Sequence, residues 1–113
     1  MTPIKQGEIY WLENIAPVGH EYTKKRPYVV VDRNDFIRDH SVICAVPLTT
    51  KTSKLNQEDV MVKKDPNNNL FYDSLAKLSH LSSFDKGRFV SRIGFIDAKT
   101  MNDIYDKLRR RFQ

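Results

Sequence analysis

Two β-branched runs, Tyr28-Val29-Val30-Val31 and Ser41-Val42-Ile43-Cys44-Ala45-Val46, constrain this chain more than anything else in it. Neither alternates apolar with polar residues, and both are too short for an ordinary helix, so residues 28–32 and 41–46 read as strands covered on two faces. Such strands must sit in the middle of a sheet, with the rest of the chain supplying a layer above and a layer below. Pro27 suits the start of the first strand, where its missing N–H removes only one ladder donor. Pro47 suggests that the second strand stops or bulges there, which leaves Thr49 and Thr50 at its exit.

The other segments fit around this pair. Residues 7–12 are rich in β-formers and begin on Gly7, which predicts a first strand. Residues 14–25, with Pro17, Gly19 and His20, predict a loop long enough in so small a domain to suggest function or mobility. Residues 33–39 read as a polar turn, residues 49–57 as a basic loop carrying Lys51 and Lys54, residues 60–62 as a short strand and residues 65–69 as a turn. Residues 75–81 alternate imperfectly and are read as a strand. A hairpin-like turn at 85–87 follows, then a strand at 88–93. One helix closes the chain: Asp97 can cap it, and Met101, Ile104, Tyr105, Leu108 and Phe112 recur at the spacing of one helical face. The expectation is a single domain over 1–113, mainly β, with a small bent sheet or barrel covered by a C-terminal helix.

Charge and cysteine usage narrow the function classes. The chain carries 19 Lys and Arg against 14 Asp and Glu, a net charge of +5, which favours a polyanionic partner or else only a well-solvated surface. Its longest apolar stretch, residues 42–47, cannot span a bilayer, and the first residues lack the apolar segment of a secretory signal, so no membrane partner and a cytoplasmic location are expected. The lone Cys44 lies within an apolar run, as a core thiol would. A domain of 113 residues hides only about two thirds of its unfolded surface, so oligomerisation is a natural way to gain burial. No phosphate-binding loop, dinucleotide fingerprint or paired Cys or His spacing is present, which leaves an activity without metal or cofactor.

Cleavage of RNA needs little equipment, because the ribose 2′-OH is itself the nucleophile. The protein must take its proton, neutralise the phosphorane and protonate the departing 5′-oxygen. Arg26, held by Pro27, offers fixed donors to phosphate, or is only the last of the solvated run Lys24-Lys25-Arg26. Thr49 offers a hydroxyl, or satisfies a turn. His20 and His80 offer imidazoles for proton transfer; the first equally suits an exposed loop and the second a packed strand. Tyr10 and Trp11 suit base stacking or the core. His40 lies in a polar turn and receives no role.

In order and spacing, Gly7-Glu8-Ile9-Tyr10-Trp11, Pro17-Val18-Gly19-His20-Glu21, Lys25-Arg26-Pro27-Tyr28-Val29-Val30-Val31, Val46-Pro47-Leu48-Thr49-Thr50 and Ser83-Phe84-Asp85-Lys86 resemble the MazF/PemK/Kid toxins across nearly the whole chain. The resemblance implies an SH3-like barrel of the MazF/Kid/CcdB type and a homodimer with an RNA groove at its interface. It also implies cleavage of single-stranded RNA, mostly mRNA, to 2′,3′-cyclic phosphate and 5′-hydroxyl ends, with inhibition by a cognate antitoxin. It carries catalytic roles to Arg26, Thr49 and His20, with His80 as the alternative proton carrier, and RNA contacts to Lys24, Lys25, Thr50, Lys51, Lys54, Lys77 and Ser79. Where relatives carry an arginine and an aspartate flanking a cysteine, or a Glu-Gln pair, this chain has Lys77, Ser79 and His80, so a carboxylate base is missing from that strand. The rival readings are a toxin-fold binder like the CcdB gyrase poison and a basic SH3-like RNA-binding module without turnover.

Overall fold

The computed structural model describes residues 3–13 and 25–112. Along them run β1 (Glu8–Glu13), β2 (Lys25–Val30), α1 (Asn34–Asp39), β3 (Val42–Thr49), β4 (Asp59–Val62), β5 (Ser74–Lys77), β6 (Ser82–Asp85), β7 (Ser91–Phe95) and α2 (Ala98–Arg111). Single 3-10 turns occupy Thr52–Lys54, Leu78–His80 and Lys86–Arg88. The strands form one antiparallel sheet in the order β4-β5-β3-β2-β1-β7, with β6 pairing β3 off that path.

The two runs expected at the centre are there. Odd residues of β2 and even residues of β3 enter a cluster of Val29, Val31, Val46 and Leu48 with Ile9, Val60, Val62, Ala76, Leu78 and Ile104. The alternate residues Tyr28, Val30, Ile43 and Ala45 enter a second cluster with Tyr10, Leu12, Ile37, Phe84 and Phe89. Side chains alternate across a strand, so both faces of the central strands are buried, each under its own layer. The first layer belongs to α2, whose Ile104 is fully buried and contributes about 1.5–3 kcal/mol by leaving water. Asp97 caps α2 as expected, accepting from the Thr100 N–H at 2.7 Å.

Several segments differ from expectation. Residues 33–39 are not a plain turn but contain α1, because Ile37 is drawn under the second cluster while the charged neighbours stay in water. The expected strand 75–81 is β5 followed by the Leu78–His80 turn, and Ser82–Asp85 is a strand where the expected turn begins only at 85. The return strand begins at Ser91 rather than 88, after the Lys86–Arg88 turn. Pro47 neither stops nor bulges β3, which runs on to Thr49 with Pro47 opposite Tyr28. The partner of β3 on its other edge changes at this point, from β6 along Val42 to Ala45 to β5 along Leu48 and Thr49. The helical stripe is narrower than its spacing suggested: Tyr105 and Phe112 are 48% and 70% exposed. Of the aromatic pair opening β1, Tyr10 is core and Trp11 is 40% exposed. Cys44 is half-buried, its N–H donating to Asp32 Oδ2 at 2.7 Å. No helix of the described residues is long and apolar enough to cross a membrane.

Edge strand β7 is covered by the turn expected at 65–69. Asn67 accepts from the Phe95 N–H at 3.1 Å, and Asn69, at φ 55°, donates through Nδ2 to Ile93 O at 2.8 Å. The buried Asn68 holds this turn shut by accepting from the Asp65 and Leu70 N–H groups and donating to Lys63 O. Gly94 passes so close beneath that an added Cβ would overlap the Asn67 carbonyl oxygen and come within 2.8 Å of Asn68 C. Gly94→Ala is therefore expected to destabilise the fold by about 1–3 kcal/mol in urea unfolding, whereas Gly87→Ala, with nothing within 4 Å of its Cβ, should change it by less than about 0.5 kcal/mol.

Where β1 meets β7, the buried Glu8 accepts from the Lys5 N–H at 2.7 Å, Tyr10 OH at 2.9 Å and Arg92 Nε at 2.6 Å. Burial first, then the hydrogen bond to Glu8 and that carboxylate's charge, push the Tyr10 phenol from 10.0 up to about 12. The folded state thus prefers the neutral phenol, a contribution present below pH 10 and lost as pH rises toward 12. Urea midpoints should fall across that window, and less steeply in Tyr10→Phe.

Candidate functional site

The register of the two central strands brings the first pair of site residues together. β2 and β3 match Tyr28 with Pro47, Val29 with Val46 and Val30 with Ala45. Carried two residues further, the same register sets Arg26 opposite Thr49 on the face that holds Tyr28 and Pro47. Directly opposed residues keep their Cβ atoms about 4.5–5.5 Å apart, so a guanidinium and a hydroxyl share one spot at the end of the sheet. Leu12 of β1, fully buried, pairs with Arg26 from the other side. Arg26 is half-buried and its Nε lies out of solvent. Thr49 Oγ1 accepts from the Lys51 N–H at 3.3 Å, which turns the chain and leaves the hydroxyl proton to donate to an oxyanion. Thr50 and Lys51 follow, both exposed.

A second segment reaches β3 from its other edge. β5 pairs Leu75 with Thr49 and Ala76 with Leu48, β6 pairs Ser82 with Ala45, and the Leu78–His80 turn between β5 and β6 packs against β3. In that turn Ser79 is exposed and His80 half-buried. His80 O accepts from Ser82 Oγ at 3.0 Å, which fixes the exit of the turn.

Lys77 has another occupation than the RNA contact expected of it. It pairs across the sheet with Asp59, and its Nζ donates to Asp59 Oδ2 at 2.9 Å, with the two side chains 15% and 0% exposed. Asp59 also accepts from the Asn56 N–H at 3.2 Å, and Lys107 Nζ donates to Gln57 O and Asp59 O at 2.9 and 2.7 Å. Its Oδ1 is buried with no hydrogen-bond partner. The carboxylate missing from the Lys77 strand thus arrives from β4, as an anchor for the end of the basic loop. Only strand pairing reveals this, because Asp59 precedes a short apolar strand like any solvated acid. Lys25 is exposed at the start of β2, opposite Glu13. His40 stacks on Phe36 at 3.8 Å and bonds its carbonyl, in keeping with no role at the site. His20, Lys24 and the side chain of Lys54 lie outside the described residues.

Breaking the buried pair from one side leaves an uncompensated charge. Asp59→Ala should therefore cost about 3–5 kcal/mol in chemical unfolding, whereas Asp59→Leu combined with Lys77→Met should recover most of it.

Comparison with known proteins gives a consistent result. A sequence model for the PemK-like, MazF-like toxin of type II toxin-antitoxin systems matches residues 5–112. Endoribonuclease MazF2 of Mycobacterium bovis and endoribonuclease MazF6 of Mycobacterium tuberculosis are each 27% identical over 109 residues, covering 95% of either chain. Among solved structures, MazF of Deinococcus radiodurans superposes with a TM-score of 0.79 at 19% identity, covering 99% of this chain and 98% of its own. A mycobacterial endoribonuclease in complex with its cognate antitoxin superposes with a TM-score of 0.68 at 20% identity, covering 99% and 95%. The shared architecture is a strongly bent, mainly β sheet with a C-terminal helix, the barrel expected from the sequence.

Proposed function

Because this chain belongs to the PemK-like, MazF-like toxins of type II toxin-antitoxin systems, we propose that it is an endoribonuclease that cuts single-stranded RNA by attack of the ribose 2′-OH on the adjoining phosphate. The observation that carries the reading is the register of β2 and β3, which, carried on from Tyr28 and Pro47, sets Arg26 level with Thr49 at the end of strands buried on both faces. Support comes from the similarity to two mycobacterial endoribonucleases along 95% of the chain.

In the mechanism, the Arg26 fork binds two phosphate oxygens and holds the phosphodiester in place. The Thr49 hydroxyl donates to one of the same two oxygens, and both donors strengthen as charge accumulates on the phosphorane. A histidine removes the 2′-OH proton and returns one to the departing 5′-oxygen; His80 sits in the turn that packs against β3, the strand of Thr49, and His20 lies in the sequence between β1 and β2. The products are a 2′,3′-cyclic phosphate and a 5′-hydroxyl. Since the nucleophile belongs to the substrate, the reaction has no requirement for a metal ion. Thr50, Lys51 and Ser79 bind the strand around the cut, with Lys24, Lys25 and Lys54 beside them.

The protein works as a cytoplasmic homodimer; the exposed Phe71 and Tyr72 are apolar surface of the kind a second copy covers. A cognate antitoxin holds it inactive, as the complex of the mycobacterial relative suggests.

Purified protein should cut all-ribose RNA in EDTA and leave intact the same RNA carrying a single 2′-deoxy sugar at the cut site. Arg26→Ala should lower kcat by about 10²–10³-fold with an unchanged unfolding midpoint. Binding without turnover across a diverse RNA pool would replace the nuclease by one of the two binders.

A further inference from the structure

The last turns of α2 carry Lys107, Arg109, Arg110 and Arg111, followed by the exposed Phe112. A helix C-terminus favours cations, which accounts for one or two of them. It does not account for where they lie. On one flank of α2 a wide cleft brings five aspartates against four lysines and Arg110, a balanced set with no preference for an anion. On the other flank a cleft of about 550 Å³ is lined by Gln57, Glu58, Leu78, Lys107, Arg110 and Arg111, three cations against one acid. That acid forms a long, solvated ion pair: Arg111 Nη1 stands 3.8 Å from Glu58 Oε2, with the side chains 41% and 61% exposed. Arg110 makes no ion pair among the described residues. Lys107 spends two donors on the carbonyls of Gln57 and Asp59, which leaves its third.

This cleft reaches the Leu78–His80 turn from the α2 side of the sheet. Its floor, Leu78, opens the 3-10 turn that carries Ser79 and His80, and α2 packs against that turn. At its outer end the Arg111 guanidinium lies 5.9 Å from the centroid of the Phe112 ring, a flat aromatic and cationic platform in water. Phosphates beside a stackable face are the recognition chemistry of a single nucleic-acid strand.

We infer that the Lys107–Arg110–Arg111 cleft and the Phe112 ring bind the flank of the RNA, one strand segment beyond the cut, so that affinity depends on RNA length. This rests on the RNA-cleaving reading for the site, but it is read separately from catalysis. The arginines neutralise flanking phosphates and Phe112 stacks one base, while Arg26 and Thr49 work unchanged.

The test uses the full chain and two RNAs with a 2′-deoxy sugar at the cut site, one confined to the cleavage motif and one with flanks on both sides. Wild type should bind the longer strand more tightly. Arg110→Gln with Arg111→Gln should weaken binding of the longer RNA about tenfold and reduce the slope of log Kd against log salt by about 1.4, the share of two single-strand phosphate contacts. Phe112→Ala should weaken it by a salt-independent factor of about 5–100. The short RNA, the unfolding midpoint and kcat on a ribose substrate should stay as in wild type. Equal binding of the two RNAs by wild type, an equal loss for both in the variants, or a loss confined to antitoxin binding would overturn the inference. Tighter binding of the longer RNA by a wild type that cuts no ribose RNA would sink the nuclease reading and leave this surface standing.

Discussion

The pairing of β2 with β3 is the constraint on which the rest depends. Both strands are apolar on both faces, so neither can lie at an edge or leave a face in water without losing the burial that drives folding. A slip of one residue in their register would exchange the two clusters and move Arg26 off the face of Thr49. The site therefore inherits its geometry from the core. Under the proposed function, Arg26 and Thr49 would owe their placement to that ladder, and a fixed placement is the preorganisation that stabilising a developing charge requires.

Around that ladder, charge is used in two different ways. Glu8 and Asp59 are buried acids whose cations, Arg92 and Lys77, tie neighbouring strands together. These pairs specify where β7 and the end of the 50–58 loop must sit; ion pairs of this kind add little net stability over apolar packing. Other cations lie at the rim, at Lys25, Lys51 and along the end of α2. Cations near the core close the fold, and cations at the rim stand toward solvent.

The order of legibility follows from how local each signal is. The buried strands, the Asp97 cap and the turn at 65–69 were all readable, because each depends on residues adjacent in the chain. Segments whose form depends on what covers them were not. α1 forms where Ile37 finds the second cluster, and β6 forms because β3 offers it a free edge. Tyr105 and Phe112 kept helical spacing yet lie in water, since the layer under α2 is only as wide as Ile104 with Met101 and Leu108 beside it. At the site, Arg26 and Thr49 were legible from their positions next to Pro27 and after the buried strand. The Lys77–Asp59 pair was not, because nothing in the sequence around 59 marks which strand it will face.

By itself, the sequence determined that two strands must be central, that a capped amphipathic helix must close the chain, and which arginine and threonine stand at the strand ends. Periodicity, proline and capping residues act over a few neighbours, so one chain read in order is enough for them. Only the tertiary structure decided which groups meet: Leu75 with Thr49, Asp59 with Lys77, and the basic end of α2 with the turn that bears His80. Those meetings are set by strand order and register, which minimise exposed apolar area over the whole domain at once, and a quantity of that kind is not written in any local segment.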